Sequence, residues 1–375
     1  MQYRPYGKHT DIKLSALGFG AMRLPQDDLY AIECMVRALD RGVNFIDTAS
    51  GYTAGPDRVR GHSEVLVGRA IKARPRDQVY VSSKNWLGED TSADTWRRQL
   101  EESLKRLDTD YLDFYQVVHS LSWESYTQKF QPSGCGLEAA IKARDEGLFR
   151  HFSFSCHDTP ENIIRLIDEG LFDSILVQYN LLDRKNEPAI AHAAEKGLGV
   201  FIMGPVGGGR LGMSSERITE LLPDAKTTAE LALRFVLSNP NVTSALSGMN
   251  SLQMVDENCD TAGRSDLLTD EERAAIEVAL DENKRLAELY CSGCNYCMPC
   301  PQDVGIPQAF AAMNLHRVWG LTDVARHHYR RLGPESRQGL LQADACVECG
   351  QCEEKCPQKI PIIEQLKETH KALGE

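Results

Sequence analysis

The sequence predicts an α/β chain in which a (β/α)8 TIM barrel is followed by a small, mainly helical, cysteine-rich domain. Three observations support this. Eight apolar runs recur about every 30 residues, each followed by a segment with helical periodicity. The 375 residues exceed the roughly 250 of one barrel. Eight of the twelve cysteines lie between Cys291 and Cys356. We therefore predict a barrel over residues 1–284 and a second domain over residues 285–375.

Composition and charge exclude several classes of protein. With 42% hydrophobic and 26% charged residues, the chain can bury a core, which excludes disordered and fibrous classes. The net charge of -12 argues against nucleic-acid binding through a general basic surface. No apolar run reaches the roughly 20 residues of a membrane span, and the first residues, MQYRPYGKHT, lack a signal-peptide layout. We expect a cytoplasmic protein whose ligands are small molecules or proteins.

The barrel elements follow in order along the chain. The eight predicted strands are LGFGAMRL, NFIDTA, VYVSSK, LDFYQVV, FRHFSFS, SILVQYN, GVFIMGP and TSALSG. Between them lie amphipathic helices such as TWRRQLEESLKRL, in which Leu100, Leu104 and Leu107 share one face. A further helix is predicted to run from Asp270 into the cysteine region, with Thr269 or Asp270 as its cap.

Four polar residues follow the second, third and fourth strands: Asp47, Tyr52, Lys84 and His119. Side chains at these strand ends carry the chemistry of TIM barrels. A nearby ammonium lowers the pKa of a phenol, and a carboxylate keeps the ammonium charged, so Lys84 and Asp47 are expected to tune Tyr52. A histidine can orient a carbonyl oxygen. The set predicts protonation of a carbonyl group. The alternatives are core packing for Tyr52, a surface ion pair for Lys84 with Asp47, and a buried strand-end histidine.

At this point the sequence resembles the aldo-keto reductase family over roughly residues 1–265. The resemblance rests on LGFGAMRLP, NFIDTASGY, VSSKNW and DFYQVV on successive strands, and later on VQYN and SGMNSLQMVDEN. Known members are (β/α)8 barrels that pass a hydride from NADP or NAD to an aldehyde or ketone. The resemblance implies that Tyr52 is the acid, that Lys84 and Asp47 are its modulators, and that His119 orients the substrate.

The histidine departs from the family pattern. Members usually space five residues from the strand Asp to the His, whereas Asp113 to His119 spans six, and Val118 occupies the expected position. An offset of one turns a strand side chain to the opposite face unless a bulge restores it. The sequence leaves open whether His119 reaches the site.

The resemblance also implies a cofactor site on the last four strands. Ser155 and Gln178 match residues that hold the carboxamide, and the loop from Gly204 through Gly209 to Arg210 matches the one that crosses the pyrophosphate. Met203 replaces the aromatic residue on which the nicotinamide often stacks. The residues that match the adenosine-binding end are Gln253, Glu257 and Asn258. Asn250 and Met254 stand where many NADP-dependent members carry basic residues, so the choice between NADP and NAD is open.

The cysteines form two runs. Cys346, Cys349, Cys352 and Cys356 have the C-x2-C-x2-C-x3-C-P spacing of bacterial [4Fe-4S] sites. The first run consists of Cys291, Cys294, Cys297 and Cys300, one residue tighter before its last member. Two such runs predict two [4Fe-4S] clusters, in which Cys356 completes the first site and Cys300 the second. Zinc is the alternative ligand, since four thiolates also satisfy its tetrahedral geometry.

The sequence thus predicts a nicotinamide-dependent reductase of a small carbonyl compound fused to an iron-sulfur domain. Nicotinamide gives two electrons as hydride, whereas each cluster takes one, and the sequence has no evident flavin motif. Two alternatives follow. In one, the barrel binds a substrate while electrons arrive from an electron-transfer protein through the clusters. In the other, the chain is a redox-sensing regulatory protein with an idle barrel.

Overall fold

The computed structural model describes residues 1–374 except 55, 56, 58, 213, 214, 223, 292–294, 335, 337, 338, 357 and 358, and without the side chains of 53, 54 and 283–290. The chain forms two compact units. The first comprises residues 1–208 and 232–268, and the second comprises 209–231 and 269–375. The second unit thus includes a segment that follows the seventh predicted strand. The domain boundary between residues 284 and 285 remains a prediction.

The first unit is a closed parallel barrel preceded by a hairpin. The strands of the described residues are β1 (Tyr3–Tyr6), β2 (His9–Ser15), β3 (Leu17–Gly20), β4 (Phe45–Asp47), β5 (Thr53–Ala54), β6 (Val59–Arg60), β7 (Tyr80–Lys84), β8 (Leu112–Gln116), β9 (Phe149–Cys156), β10 (Ser174–Gln178), β11 (Gly199–Met203) and β12 (Ser244–Ser247). The barrel closes in the order β3-β4-β7-β8-β9-β10-β11-β12. All eight predicted strands are present, which confirms the predicted TIM barrel.

The helices surround the barrel and build most of the second unit. They are α1 (Asp28–Asp40), α2 (His62–Ile71), α3 (Ala93–Leu107), α4 (Trp123–Ser125), α5 (Gly136–Asp145), α6 (Pro160–Asp168), α7 (Glu187–Glu195), α8 (Glu216–Thr219), α9 (Thr228–Ser238), α10 (Leu252–Gly263), α11 (Asp270–Tyr290), α12 (Ile306–Arg317), α13 (Thr322–Arg330), α14 (Gln351–Lys355) and α15 (Ile362–Leu373). Leu100, Leu104 and Leu107 of α3 are all buried, which confirms the predicted amphipathic face.

The hairpin of β1 and β2 was not predicted from the sequence. Its turn depends on Gly7, whose φ of 49° favours glycine and whose added Cβ would lie 2.3 Å from the carbonyl oxygen of Gly197. Tyr6, at the end of β1, is fully buried and packs against Phe114 and Phe201. The hairpin therefore closes the N-terminal end of the barrel with an aromatic side chain.

The second unit has its own helical core, which includes Phe310, Tyr329 and Leu366. At the start of α11, Thr269 accepts a hydrogen bond from the backbone N–H of Glu272, so Thr269 is the cap. The segment between the two cysteine runs contains α12 and α13, with Gly320 at a φ of 64° between them. Among the described helices, none has an apolar stretch long enough to cross a lipid bilayer.

Candidate active site

A buried ion pair lies at the C-terminal ends of two neighbouring strands. Asp47 ends β4 and Lys84 ends β7, and both side chains are at least 95% buried. The Lys84 ammonium donates to the two Asp47 carboxylate oxygens at 2.6 and 2.5 Å and to the Thr48 carbonyl oxygen at 2.7 Å. Burial lowers the pKa of Lys84, but Asp47 and Tyr52 together raise it by more, so the pKa lies above its ordinary value. The lysine is therefore charged at neutral pH.

Tyr52 lies beside this pair in the loop that follows β4. The Lys84 Nζ atom is 5.0 Å from the Tyr52 ring centroid. Burial raises the pKa of Tyr52, while Lys84 acts in the opposite direction, and the net pKa is raised. The sequence correctly predicted the sign of the lysine contribution, but the expected net lowering of the Tyr52 pKa is not seen. The phenol therefore keeps its proton at neutral pH, as a proton donor must.

Ser82 and Gln116 extend the network, and sequence reasoning missed both. Ser82 Oγ lies 3.0 Å from Asp47 Oδ1 and 2.8 Å from Gln116 Oε1. The sequence could have predicted the position of Ser82, because Ser82 precedes Lys84 by two residues and alternate residues of a strand share a face. Gln116 ends β8 and pairs with Lys84 in register. Its Nε2 atom is buried and has no hydrogen-bond partner among the described residues. Ser82 thus contacts the same Asp47 oxygen to which Lys84 donates at 2.6 Å and adds to the contacts that hold the carboxylate.

His119 reaches the site in spite of its shifted spacing. The strand β8 ends at Gln116, so strand alternation no longer determines where residue 119 points. The His119 backbone N–H donates to the Asn85 carbonyl oxygen at 2.7 Å, and Val118 is buried instead. The His119 ring lies edge-on to Tyr52 at 6.0 Å and to Trp86 at 5.5 Å. Its Nδ1 atom is buried and has no partner in the described part of the chain.

The imidazole of His119 is uncharged at neutral pH. Burial, followed by the positive charge of Lys84, lowers the pKa of His119 to about 4. Arg60, whose guanidinium stacks on Trp86 at 5.2 Å, acts in the same direction. A neutral imidazole can offer a hydrogen bond to a carbonyl oxygen without competing with Tyr52 for the proton.

The predicted carboxamide-binding residues lie together on adjacent strands. Gln178 ends β10 and is in register with Met203, which ends β11. Ser155 lies on the neighbouring β9, and its Oγ accepts a hydrogen bond from the backbone N–H of Ser120 at 3.0 Å. Gly204 has a φ of 62°, and an added Cβ would lie 2.8 Å from Gln178 Oε1. The absence of a side chain at residue 204 thus lets its backbone approach the Gln178 amide closely.

The other predicted cofactor residues divide between two regions. Gln253, Glu257 and Asn258 lie on α10 in the first unit, where Gln253 Nε2 donates to Glu257 Oε1 at 2.7 Å and Asn258 Nδ2 donates to Ser247 Oγ at 3.1 Å. Gly209 and Arg210 belong instead to the second unit. Sequence reasoning missed Arg23, whose guanidinium donates to the Gly208 carbonyl oxygen in the first unit.

The cysteines of the two runs meet within the second unit. Five cysteines line one cavity, namely Cys297 and Cys300 of the first run and Cys346, Cys349 and Cys352 of the second. A [4Fe-4S] cluster takes four thiolates, so this cavity has one thiol more than a single cluster needs. Cys356 is buried in the helical core, and the cysteines that pack against this core are Cys291, Cys297, Cys300, Cys346 and Cys352. Cys294 lies outside the described residues.

The four cysteines outside the runs have surroundings of ordinary thiols. Cys34, Cys156 and Cys259 are buried in the first unit, and Cys135 is partly buried. Burial raises the pKa of Cys156 to about 12, which keeps its thiol protonated at neutral pH. Although Cys156 follows Ser155, it is therefore not a reactive thiolate.

Comparisons with known proteins match both parts of the chain. The Aldo/keto reductase family model matches residues 16–281, and the 4Fe-4S dicluster domain model matches residues 290–360. An NADH-specific methylglyoxal reductase of Escherichia coli is 27% identical over 66% of this chain and 90% of its own length. An L-galactose dehydrogenase of Arabidopsis thaliana is 28% identical over 67% of this chain and 85% of its own length.

Solved structures give the same match for the barrel. An aldo-keto reductase structure from Bacillus halodurans is 29% identical, with a TM-score of 0.64, and the match covers 74% of this chain and 96% of that one.

Proposed function

We propose that this chain, which belongs to the aldo/keto reductase family and carries a 4Fe-4S dicluster domain, reduces the carbonyl group of a small molecule with a nicotinamide cofactor. It is an oxidoreductase of the aldo-keto reductase type. The observation that carries the proposal is the buried Asp47–Lys84 pair, held at 2.5 Å beside the phenol of Tyr52. A charged lysine next to a protonated phenol at a barrel strand end is an arrangement suited to proton donation.

In the proposed reaction, each residue of the chain has a separate task. When bound, the nicotinamide supplies the hydride. Tyr52 donates the proton to the carbonyl oxygen, and Lys84 stabilises the phenolate that this leaves. Asp47 keeps Lys84 charged and in place. His119, neutral at the pH of the reaction, orients the carbonyl oxygen through a hydrogen bond.

The cofactor is proposed to lie along the C-terminal ends of the last four strands. Ser155 and Gln178 would hold the carboxamide, and Met203 would cover the ring, because a thioether is soft enough to pack on an aromatic face. Gly204 would lie against the pyrophosphate, and Gln253, Glu257 and Asn258 would bind the adenosine. The positions of Ser155, Gln178 and Met203 on three adjacent strands support the carboxamide part of this assignment.

We propose that the second domain, residues 285–375, holds two [4Fe-4S] clusters. Cys291, Cys294, Cys297 and Cys356 would bind one, and Cys300, Cys346, Cys349 and Cys352 the other. The cavity that Cys297 and Cys300 share with the second run supports ligation across the two runs.

The clusters also have a proposed structural role, because the compact unit that contains the cysteines includes residues 209–231. In that unit, Ser215 Oγ donates to the Trp319 carbonyl oxygen at 2.7 Å, and Arg217 donates to the Arg317 carbonyl oxygen. The clusters would therefore help to fix the segment that begins with Gly209 and Arg210. This role requires no electron transfer between nicotinamide and cluster.

The test uses anaerobically purified full-length protein with its clusters intact. Titration with NADH and NADPH measures binding, and a panel of aldehydes, ketones and 2-oxoaldehydes, including methylglyoxal, measures oxidation of the reduced cofactor. Saturable nicotinamide binding and carbonyl-dependent oxidation are expected. Absence of binding to either nicotinamide by a fully loaded protein would contradict the proposal.

A further inference from the structure

Three metal-ligating side chains meet at the N-terminal end of the barrel, opposite the proposed active site. His9 begins β2, His151 lies near the start of β9, and Asp173 immediately precedes β10. One ligand atom of each lies within 4.8 Å of the other two. The three residues come from distant parts of the sequence, so only the fold brings them together.

The distances are near those of a tetrahedral metal site. His9 Nε2 lies 3.4 Å from Asp173 Oδ1, and His151 Nδ1 lies 3.9 Å from Asp173 Oδ2. With zinc bonds of about 2.0–2.1 Å, neighbouring ligand atoms lie about 3.3 Å apart. These two distances run to different Asp173 oxygens. With a single oxygen as the ligand, the three ligand atoms lie within 4.8 Å of one another, so no pair would need to close by more than about 1.5 Å, which side-chain rotation can supply.

The three side chains are held in place by their neighbours. The His9 ring stacks on the ring of buried Tyr6 at 5.5 Å and lies edge-on to the His151 ring at 4.7 Å. Asp173 Oδ2 accepts a hydrogen bond from the backbone N–H of Phe152 at 3.1 Å. Outer contacts of this kind orient the ligands of metal sites.

The partial burial of the three side chains suits a bound cation. The exposed fractions are 30% for His9, 15% for His151 and 19% for Asp173, so solvent can reach one side of the group. The competing cation is Lys8, whose exposed Nζ lies 3.6 Å from Asp173 Oδ1.

We propose that His9, His151 and Asp173 bind a zinc ion, with water as the fourth ligand. Two imidazoles and a carboxylate are a zinc ligand set, and zinc accepts this geometry readily. The ion would tie the N-terminal hairpin to β9 and β10 at the end of the barrel that the proposed reaction does not use. The inference does not depend on the proposed function.

The test is a zinc titration of anaerobic protein whose clusters are intact, so that the cysteines of the two runs are occupied. Isothermal titration calorimetry is expected to show one saturable zinc site per chain. His9→Gln and His151→Gln should each weaken binding at least tenfold, since even changes to outer contacts cost about 10–100-fold. Lys8→Gln should strengthen binding, because it removes the competing charge.

The matched control is His192→Gln. His192 also pairs with a carboxylate, at 2.8 Å from Asp168, but this pair lies on the helices α6 and α7. The control should bind zinc like the parent protein. X-ray absorption at the zinc edge should show nitrogen and oxygen ligands at about 2.0–2.2 Å, whereas sulfur ligands at about 2.3 Å would place the ion on thiolates and overturn the proposal. Binding that is absent in the parent protein, or equal in the parent and both histidine variants, would also overturn it.

Discussion

The ring of His119 stands nearly perpendicular to the ring of Tyr52, with 6.0 Å between the ring centroids. The contact forms although His119 follows Asp113 by six residues rather than five. The ladder of β8 ends at Gln116, and the next residues turn so that Val118 enters the core while His119 faces the phenol. The additional residue is therefore accommodated after the strand rather than within it.

Replacement of Tyr52 by Phe should abolish most carbonyl reduction while preserving nicotinamide binding. The change removes a proton donor and little volume, and general acid catalysis is typically worth about 10² to 10⁴ in rate. Steady-state kinetics and cofactor titration of the same anaerobic preparation measure the two effects. Turnover equal to that of the parent protein would show that another group protonates the carbonyl.

Replacement of Lys84 by Met should destabilise the barrel by about 3–5 kcal/mol, because it leaves the Asp47 carboxylate buried without its counter-charge. The double variant Lys84→Met with Asp47→Asn should lose less stability than the sum of the two single changes. Urea unfolding followed by tryptophan fluorescence measures this, since Trp86, Trp96 and Trp123 lie in the first unit. Strict additivity would mean that the pair does not act as a unit.

The pH dependence of the enzyme should show no ionisation of His119 between about pH 5 and 8. Its pKa is lowered to about 4 in the folded chain, below the ordinary value of about 6.5. The stability that this neutral imidazole contributes is complete above pH 6.5 and is lost as the pH falls towards 4, since the unfolded chain then binds more protons.

The kinetic check for His119 compares kcat/KM across this pH range in the parent and in His119→Gln. His119→Ala should lower kcat/KM roughly tenfold, as expected for one lost hydrogen bond. A titration near pH 6.5 that disappears in His119→Gln would contradict the lowered pKa. Full activity of His119→Ala would place the residue outside the reaction.

NADPH should not be strongly preferred over NADH. Asn250 and Met254 are uncharged and exposed, and the nearby basic residues Arg37 and Arg41 form ion pairs with Asp256. A missing charge-assisted contact to the 2′-phosphate costs roughly 1.5–3 kcal/mol, or about one to two decades of affinity. Direct titration with both cofactors measures the ratio. A thousandfold preference for NADPH would mean that another residue, such as Arg210 or Arg23, supplies the contact.

Anaerobically purified protein should contain about eight irons and eight acid-labile sulfides per chain, as two four-iron clusters require. Cys300→Ser should perturb the cluster held by Cys346, Cys349 and Cys352, because it lines the same cavity. Cys356→Ser should perturb the other cluster. Electron paramagnetic resonance of the reduced protein distinguishes the two sites. Four irons with one zinc would be incompatible with two clusters.

The features that sequence predicted well are those fixed by local pattern. The eight strands follow from their apolar runs, and the iron-sulfur character of the second domain follows from cysteine spacing. The hairpin at Gly7 depends on a close approach to Gly197, far along the chain, and so has no local signal. The raised pKa of Tyr52 depends on how deeply the phenol is buried, a quantity that the residue types alone do not determine.

The second unit is built from two separate stretches of sequence, and this determines when, during synthesis, the unit can fold. Residues 209–231 leave the ribosome before residues 269–375, with which they form one compact unit. Residues 209–231 therefore cannot complete their packing until residues 269–375 have been synthesised, although the strands β3 to β11 precede both stretches. Deletion of the cysteine-rich region would leave residues 209–231 without their packing partners. A single truncation therefore does not separate the first unit from the second.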